Sequence, residues 1–376
     1  MRRYQLLELA GLFLRLGLTA FGGPAAHIAM MRDEVVERRK WLTDSEFLDL
    51  LGATNMIPGP NSTEMAIHLG YRHSRLAGLL LAGCCFIVPA TFIVIAIAWA
   101  YVRFGHMPQV TWVMYGIGPV IIAIVAQALW KLGTTAIKGP LTAILAVLST
   151  LLSLFGWNEL GVLALGGVVM AGVKLKQPAS VVGVFTTVWT STTVLAHATR
   201  VMVPFSLTRL TLFFLKTGSI LFGSGYVLLA FLRADLVERW KWLTDEQLID
   251  AITVGQVTPG PVFTTAAFIG YLLGDWIGAV LATLGIFLPG FIFVVCTQPL
   301  IPKLRASPTT SSILDGVVIS SLGLMAAVTW DLVNSTLVDA PTVGMAIATT
   351  VILFTLQPNS TWLVLAGAVA GWLWHS

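Results

Sequence analysis

A 48-residue stretch occurs twice in this chain, and each copy carries helix-breaking residues inside apolar runs. Phe13 to Pro60 reads FLRLGLTAFGGPAAHIAMMRDEVVERRKWLTDSEFLDLLGATNMIPGP. At an ungapped offset of 201, Phe214 to Pro261 reads FLKTGSILFGSGYVLLAFLRADLVERWKWLTDEQLIDAITVGQVTPGP. The copies share Phe-Gly, Val-Glu-Arg-x-Lys-Trp-Leu-Thr-Asp and Pro-Gly-Pro. Apolar composition cannot produce such matches, because many are charged residues, Gly or Pro. Beyond Pro-Gly-Pro the offset is 200, which aligns Gly70-Tyr71 with Gly270-Tyr271 and Pro89 with Pro289. The chain is a duplicated unit, and its function has to be read from both copies.

Only 11% of the residues are charged, 56% are hydrophobic, and the mean hydropathy is +0.85. Soluble domains carry about 25% charge, and several runs here approach the ~20 apolar residues that cross a bilayer. The expected class is an all-α polytopic membrane protein. A net charge of +4, with its basic residues in short loops, gives no support for nucleic-acid binding. Cys84, Cys85 and Cys296 lie in apolar runs and form no disulfide or metal pattern, so no metal and no cofactor is expected. Met1 to Ala20 has a leader-like outline. Arg15 interrupts it and its counterpart recurs at 207–221, so it is expected to belong to the fold.

The first unit reads as a segment 5–31 broken at Gly22-Gly23-Pro24, a charged connection 32–45, and a segment 46–70 broken at Pro58-Gly59-Pro60. Spans 76–102, 111–130, 140–155 and 159–173 follow. The second unit repeats this order as 207–231, 246–271, 276–300, 312–331, 341–356 and 359–374. The expected division is a first repeat at 1–175, a linker at 176–203 long enough to cross, and a second repeat at 204–376. Cytoplasmic loops collect Lys and Arg. Arg72, Arg75, Lys131 and Lys138 have Leu272, Asp275, Asp331 and Asp339 as counterparts. The simplest account inverts one unit relative to the other, with the N-terminus inside and the C-terminus outside. About 11–13 transmembrane segments result, fewer if the broken segments dip and return. Inverted repeats with Gly/Pro-interrupted helices mark secondary transporters, since a break in lipid is tolerated where protein or a cavity covers it. Two simple proline kinks are the alternative.

Each Pro-Gly-Pro reads as a helix restart whose first-turn N–H groups form an anion site. The candidates are Pro58, Gly59, Pro60, Asn61, Ser62 and Thr63 in one repeat and Pro259, Gly260, Pro261, Thr264 and Thr265 in the other. Asn55 and Gln256 precede the two motifs and add amide donors. Arg15 and Lys216 occupy matching intramembrane positions, where a cation needs a partner or ligand; snorkelling to an interface is the other reading. Gly22, Gly23, Gly223 and Ser224 mark the other break, where backbone could approach a ligand. His27, Glu64 and His68 have no ionisable counterpart in the second repeat and could carry proton coupling. A capping carboxylate with two interfacial histidines would look the same. Thr43 with Glu46, and Thr244 with Gln247, stand at capping-box spacing and predict helix starts. No phosphate loop, zinc-peptidase motif or nucleophile elbow points to an enzyme.

Phe21-Gly22-Gly23-Pro24, Val36-Glu37-Arg38-Arg39-Lys40-Trp41 and Pro58-Gly59-Pro60-Asn61-Ser62-Thr63-Glu64 closely resemble the chromate transporter family. Phe222-Gly223-Ser224-Gly225-Tyr226-Val227 and Pro259-Gly260-Pro261-x-x-Thr264 resemble its C-terminal domain. Ser224 stands where the family commonly has Gly, and Asn55 where Gln is common. The resemblance implies a two-domain prokaryotic inner-membrane carrier that exports chromate, with sulfate as the chemical analogue and chromate resistance as the outcome. A homodimer is compatible with it. Competing readings are a general sulfate-type oxyanion carrier, an importer, or a membrane oxyanion sensor that moves nothing.

Overall fold

A computed structural model describes residues 2–21, 23–54, 57–104, 108–174, 204–221, 227–297, 308–356, 358 and 360–375, and all regular elements among them are helical. The linker 176–203 lies outside the described residues. The first repeat comprises α1 (Arg2–Thr19), α2 (Gly23–Arg32), a π turn (Asp33–Arg38), α3 (Asp44–Thr54), α4 (Asn61–Phe104), α5 (Pro108–Ala136), α6 (Pro140–Leu154) and α7 (Glu159–Lys174). The second comprises α8 (Leu207–Ile220), α9 (Leu228–Leu232), a π turn (Arg233–Arg239), α10 (Asp245–Val257), a short 3₁₀ turn (Val262–Thr264), α11 (Thr265–Thr297), α12 (Pro308–Thr336), α13 (Ala340–Thr355) and α14 (Ser360–His375). Each helix of one repeat has its counterpart seven labels later.

The duplicated motif explains the local geometry. After each π turn the chain reverses at a lysine in the left-handed region, Lys40 (φ 53°) and Lys241 (φ 54°). Reciprocal capping bonds then start α3 and α10. The Thr43 N–H donates to Glu46 Oε2 at 3.0 Å and the Glu46 N–H to Thr43 Oγ1 at 3.3 Å. Thr244 and Gln247 exchange the same pair at 3.1 Å each. α4 and α11 each fold back once, at Ser74-Arg75 and Gly274-Asp275. Past each reversal the two arms touch backbone to backbone, Gly70 against Gly78 and Gly270 against Gly278, where a β-carbon would overlap a carbonyl.

Ion pairs decide whether the broken segments cross or return. Arg15 Nη2 lies 2.5 Å from Glu34 Oε1, and Arg39 Nε lies 3.4 Å from Glu8. The chain after the break at 21–23 therefore runs back along α1. Likewise Arg72 reaches Glu46 at 3.1 Å and the His73 ring stacks on Trp41 at 4.3 Å, so the first arm of α4 returns along α3. In the second repeat Lys216 meets Asp235 at 2.6 Å and Phe213 meets Trp240 at 5.6 Å. The broken segments are hairpins with their apices inside the protein, the arrangement that lowers the number of crossings. Asn61–Phe104, Trp112–Ala136, Val262–Thr297 and Ser311–Asn334 are long and apolar enough to cross a bilayer, and four shorter apolar helices accompany them.

The second arm of α4 measures the relation between the repeats. Gly78 packs at the outer end of the first repeat's hairpins, Ala90 reaches the second repeat's apex at Gly260, and the Tyr101 hydroxyl donates to Asp250 of α10 at 2.6 Å. The outer ends of the two hairpin sets therefore lie at opposite ends of one helix, so the repeats are inverted. Two bundles result. The hairpin bundle packs α1 on α4, α8 on α11 and α4 on α11; the second bundle packs α6 and α7 on α12, and α13 and α14 on α5. Lipid supplies no hydrophobic drive between helices, so such contacts depend on small residues that let backbones approach. Gly116 against Gly367 and Gly371, and Gly166 against Gly316, do so here.

Candidate anion site at the hairpin apices

The two Pro-Gly-Pro motifs are bonded crosswise. The Gly59 N–H donates to the Leu221 carbonyl at the end of α8 (2.7 Å), and the Gly260 N–H donates to the Ala20 carbonyl at the end of α1 (2.9 Å). Each repeat's Pro-Gly-Pro thus closes on the first hairpin of the other. Both glycines have left-handed backbone, φ 138° at Gly59 and 86° at Gly260. A β-carbon on Gly59 would overlap Glu64 Oε1, and one on Gly260 would press on the Ala90 methyl.

Beyond Pro60 the chain enters α4 at once, and the first bond of that helix runs from the Glu64 N–H to the Pro60 carbonyl at 2.9 Å. The N–H groups of Ser62 and Thr63, in the turn before it, have no partner within the helix and carry its positive dipole end. Ser62, Thr63 and Glu64 are buried. The second repeat inserts its 3₁₀ turn here. Its hydroxyls are spent locally, Thr264 donating to the Pro261 carbonyl and Thr265 to that of Val262, both at 2.8 Å. Pro259, Gly260, Pro261 and Gln256 are buried beside them.

Several buried polar atoms near the apices have no hydrogen-bond partner: Thr63 Oγ1, both carboxylate oxygens of Glu64, His27 Nδ1, Thr217 Oγ1 and Thr253 Oγ1. Buried polar atoms are nearly always satisfied, so the open ones at Thr63, Glu64 and Thr217, which flank the Gly59–Leu221 bond, mark a place for a polar guest. Thr217 sits one turn before Leu221, and its carbonyl accepts the Leu221 N–H at 3.0 Å. His27 Nε2 lies 3.0 Å from the same Ala20 carbonyl that receives Gly260, so this nitrogen donates and Nδ1 is the open one. Hydroxyls and first-turn N–H groups suit a tetrahedral oxyanion.

The sequence candidates divide. Pro58 to Glu64, Pro259 to Thr265, Gln256, Gly23, His27 and the buried His68 belong to the apex elements. Gly22, Asn55, Gly223 and Ser224 lie outside the described residues. Arg15 and Lys216 stand five residues before the Ala20 and Leu221 carbonyls, about 7.5 Å along their helices. Each is partly exposed and engages a buried carboxylate of its own repeat, Glu34 or Asp235. Arg38 and Arg39 also converge on Glu34, and Arg239 on Asp235. Sequence reasoning missed those two carboxylates, although acidic residues align there in both copies. It also missed Thr217 and Thr253, whose counterparts Leu16 and Gly52 gave no signal. Gly17 and Gly218 align as well; a β-carbon at Gly17 would fall 2.7 Å from the Phe86 carbonyl, so they let α1 and α8 lie close to α4 and α11.

Comparison with known proteins gives a family match. A model of the chromate transporter family matches residues 7–173 and again 208–372. A chromate transport protein of Cupriavidus metallidurans is 32% identical, covering 97% of this chain and 92% of its own length. One of Pseudomonas aeruginosa is 31% identical over the same shares of both chains. An uncharacterized transporter of Methanocaldococcus jannaschii is 25% identical over 84% of this chain and 82% of its own. No solved structure gives a significant match.

Proposed function

We propose that this chain, which belongs to the chromate transporter family and is a multi-pass membrane protein, exports chromate across the cytoplasmic membrane as a secondary carrier. The oxyanion binds at midplane where the inverted hairpins meet. The observation that carries this reading is the crossed Gly59–Leu221 and Gly260–Ala20 bonding, surrounded by open hydroxyls. First-turn N–H groups of Ser62 and Thr63 meet the anion, and the Thr63, Thr217 and Thr253 hydroxyls donate to it. Arg15 and Lys216 add positive field from one and a half turns away while bracing their hairpins against Glu34 and Asp235. Neutral donors and paired cations hold a dianion loosely enough to release it.

The driving force needs no second ion. A potential negative inside pushes each negative charge outward by about 2.3 kcal/mol per 100 mV, hence about 4.6 kcal/mol for a dianion, roughly a 2000-fold gradient. The first repeat's hairpin ends carry Arg32, Arg38, Arg39, Lys40, Arg72 and Arg75, so that face is assigned to the cytoplasm. The test is chromate efflux from inside-loaded proteoliposomes. Thr63→Val and Thr217→Val are each expected to slow it about tenfold while the protein folds normally, about the worth of one hydrogen bond to a charge. Full efflux in both variants would sink the apex site. Equal competition by sulfate, molybdate and phosphate would favour a general oxyanion carrier.

A further inference from the structure

We propose that Glu64 is a proton-binding site which takes up one proton together with the oxyanion, so that the two move in the same direction. The inference rests on the apex reading above and adds a second ligand to it.

Glu64 is fully buried, and both its carboxylate oxygens lack a hydrogen-bond partner. Its Oε1 occupies the space a β-carbon on Gly59 would fill, and it faces Gly290 of the other repeat, whose β-carbon would lie 3.6 Å from it. Glu64 therefore stands beside the cross-repeat bond at Gly59 and one residue from the open hydroxyl of Thr63. The second repeat has Thr265 at this position, with its hydroxyl already bonded to the Val262 carbonyl. The ionisable group belongs to one half of a symmetric site.

Among the described residues no charged side chain acts on Glu64. Arg15 of α1 and Lys216 of α8 are engaged by Glu34 and Asp235. The second arm of α4 ends in Tyr101 and Arg103, and α11 carries Asp275 at its far reversal. From α3, Asp44 and Glu46 are held by Arg32 and Arg72 at the outer end, and Asp250 of α10 accepts from Tyr101. The titratable groups close by are His68, one turn on along the same helix, and His27 of α2.

An ionised carboxylate only accepts hydrogen bonds, as an oxyanion does. Two such groups in one buried site repel, since like charges close together oppose each other's ionisation. A proton on Glu64 removes that repulsion and converts the side chain to an O–H donor toward the anion. Each ligand then favours the other by the same factor, as linkage requires. A dianion accompanied by one proton still carries one net negative charge, so an inside-negative potential still drives it out, while acid outside opposes it.

The test follows chromate binding and flux with purified protein in liposomes, together with a pH dye, for wild type, Glu64→Gln, Glu64→Asp and His27→Gln. Wild-type affinity is expected to fall up to about tenfold per pH unit on the alkaline side, with protons moving alongside chromate. Glu64→Gln, a permanent donor, should bind chromate with that linkage gone and carry it without protons. Chromate's own titration is common to both proteins and cancels in the comparison. Glu64→Asp and His27→Gln should keep the linkage. An unchanged slope in folded Glu64→Gln, or its loss in His27→Gln, overturns the proposal. If chromate neither binds nor moves in any variant, the carrier reading fails instead. Labelling by an apolar carbodiimide then decides the proton site: modification at Glu64 that slows as pH rises supports it, and none at any pH overturns it.

Discussion

The two repeats share a skeleton and differ in their charges. Both have a π turn, a capped third helix, a folded-back fourth helix and a crossed Pro-Gly-Pro bond. Each also has a cation on its first helix held by a buried carboxylate on its π turn. Backbone geometry and hairpin bracing are therefore duplicated. The differences fall in two places. At the apex, Glu64 answers Thr265. On the faces, Arg233 of the second hairpin bundle reaches Asp331 of α12 at 2.8 Å, tying the two bundles together. The counterpart residues are Arg32 and Lys131, both cations; Arg32 pairs with Asp44 and Glu37 just as Arg233 pairs with Asp245 and Glu238, but Lys131 offers it no further carboxylate. Duplication supplied a symmetric container, and a few substitutions made its two faces unequal.

The largest expected effects test the shared bracing. Asp235→Asn takes the shared carboxylate from Lys216 and Arg239, and Glu34→Gln takes it from Arg15, Arg38 and Arg39, of which Arg38 keeps Asp33 and Arg39 keeps Glu8. The cations are partly exposed, so removing a carboxylate that holds two or three of them costs about 2–4 kcal/mol, and both variants should melt below wild type in detergent, by similar amounts. A large loss in only one would break the equivalence of the repeats.

Next come the apex glycines. Gly59→Ala and Gly260→Ala each force a side chain into left-handed backbone, costing about 1–3 kcal/mol. Both should reduce chromate flux, but only Gly59→Ala displaces Glu64. Its pH profile is therefore expected to change, while that of Gly260→Ala keeps the wild-type shape. Matching profiles would remove the distinction between the apices.

The smallest effects concern the faces. Asp331→Asn leaves Arg233 its bonds to Asp245 and Glu238, so the loss should stay within about 1 kcal/mol. Lys131→Asp offers Arg32 the missing carboxylate and should stabilise by a similar amount. A pair of melting curves reads both, and a loss in Lys131→Asp would show that the faces differ by more than this one charge.

How much of this was legible in the sequence depends on the distance over which each feature is decided. The capping boxes, the breaks at Gly-Gly-Pro and Pro-Gly-Pro, and the burial of the apex follow from residue types within a few positions of each other. Inversion was legible too, because loop charge is summed over a whole face. Arg15 and Lys216 stood out in the sequence as cations in apolar runs that call for a partner or ligand, and each is paired with a carboxylate. Which partner was not readable, since Glu34 and Asp235 come alongside only when the hairpins return. Thr217 and Thr253 look like ordinary helix threonines until helices from the other repeat pack around them.

By itself, the sequence determined a duplicated, all-helical membrane protein with matched breaks, and the ionisable residues His27, Glu64 and His68 near the breaks of one copy only. Propensity, capping and apolar length are local properties of the chain, so they survive without knowledge of its partners. Only the tertiary structure decided that the broken segments fold back, that Gly59 bonds Leu221 while Gly260 bonds Ala20, and that no cation among the described residues pairs with the Glu64 carboxylate. Those outcomes depend on how close helices from different repeats can approach. That distance is set by opposed glycines and by which buried charges find each other, and no segment encodes it alone.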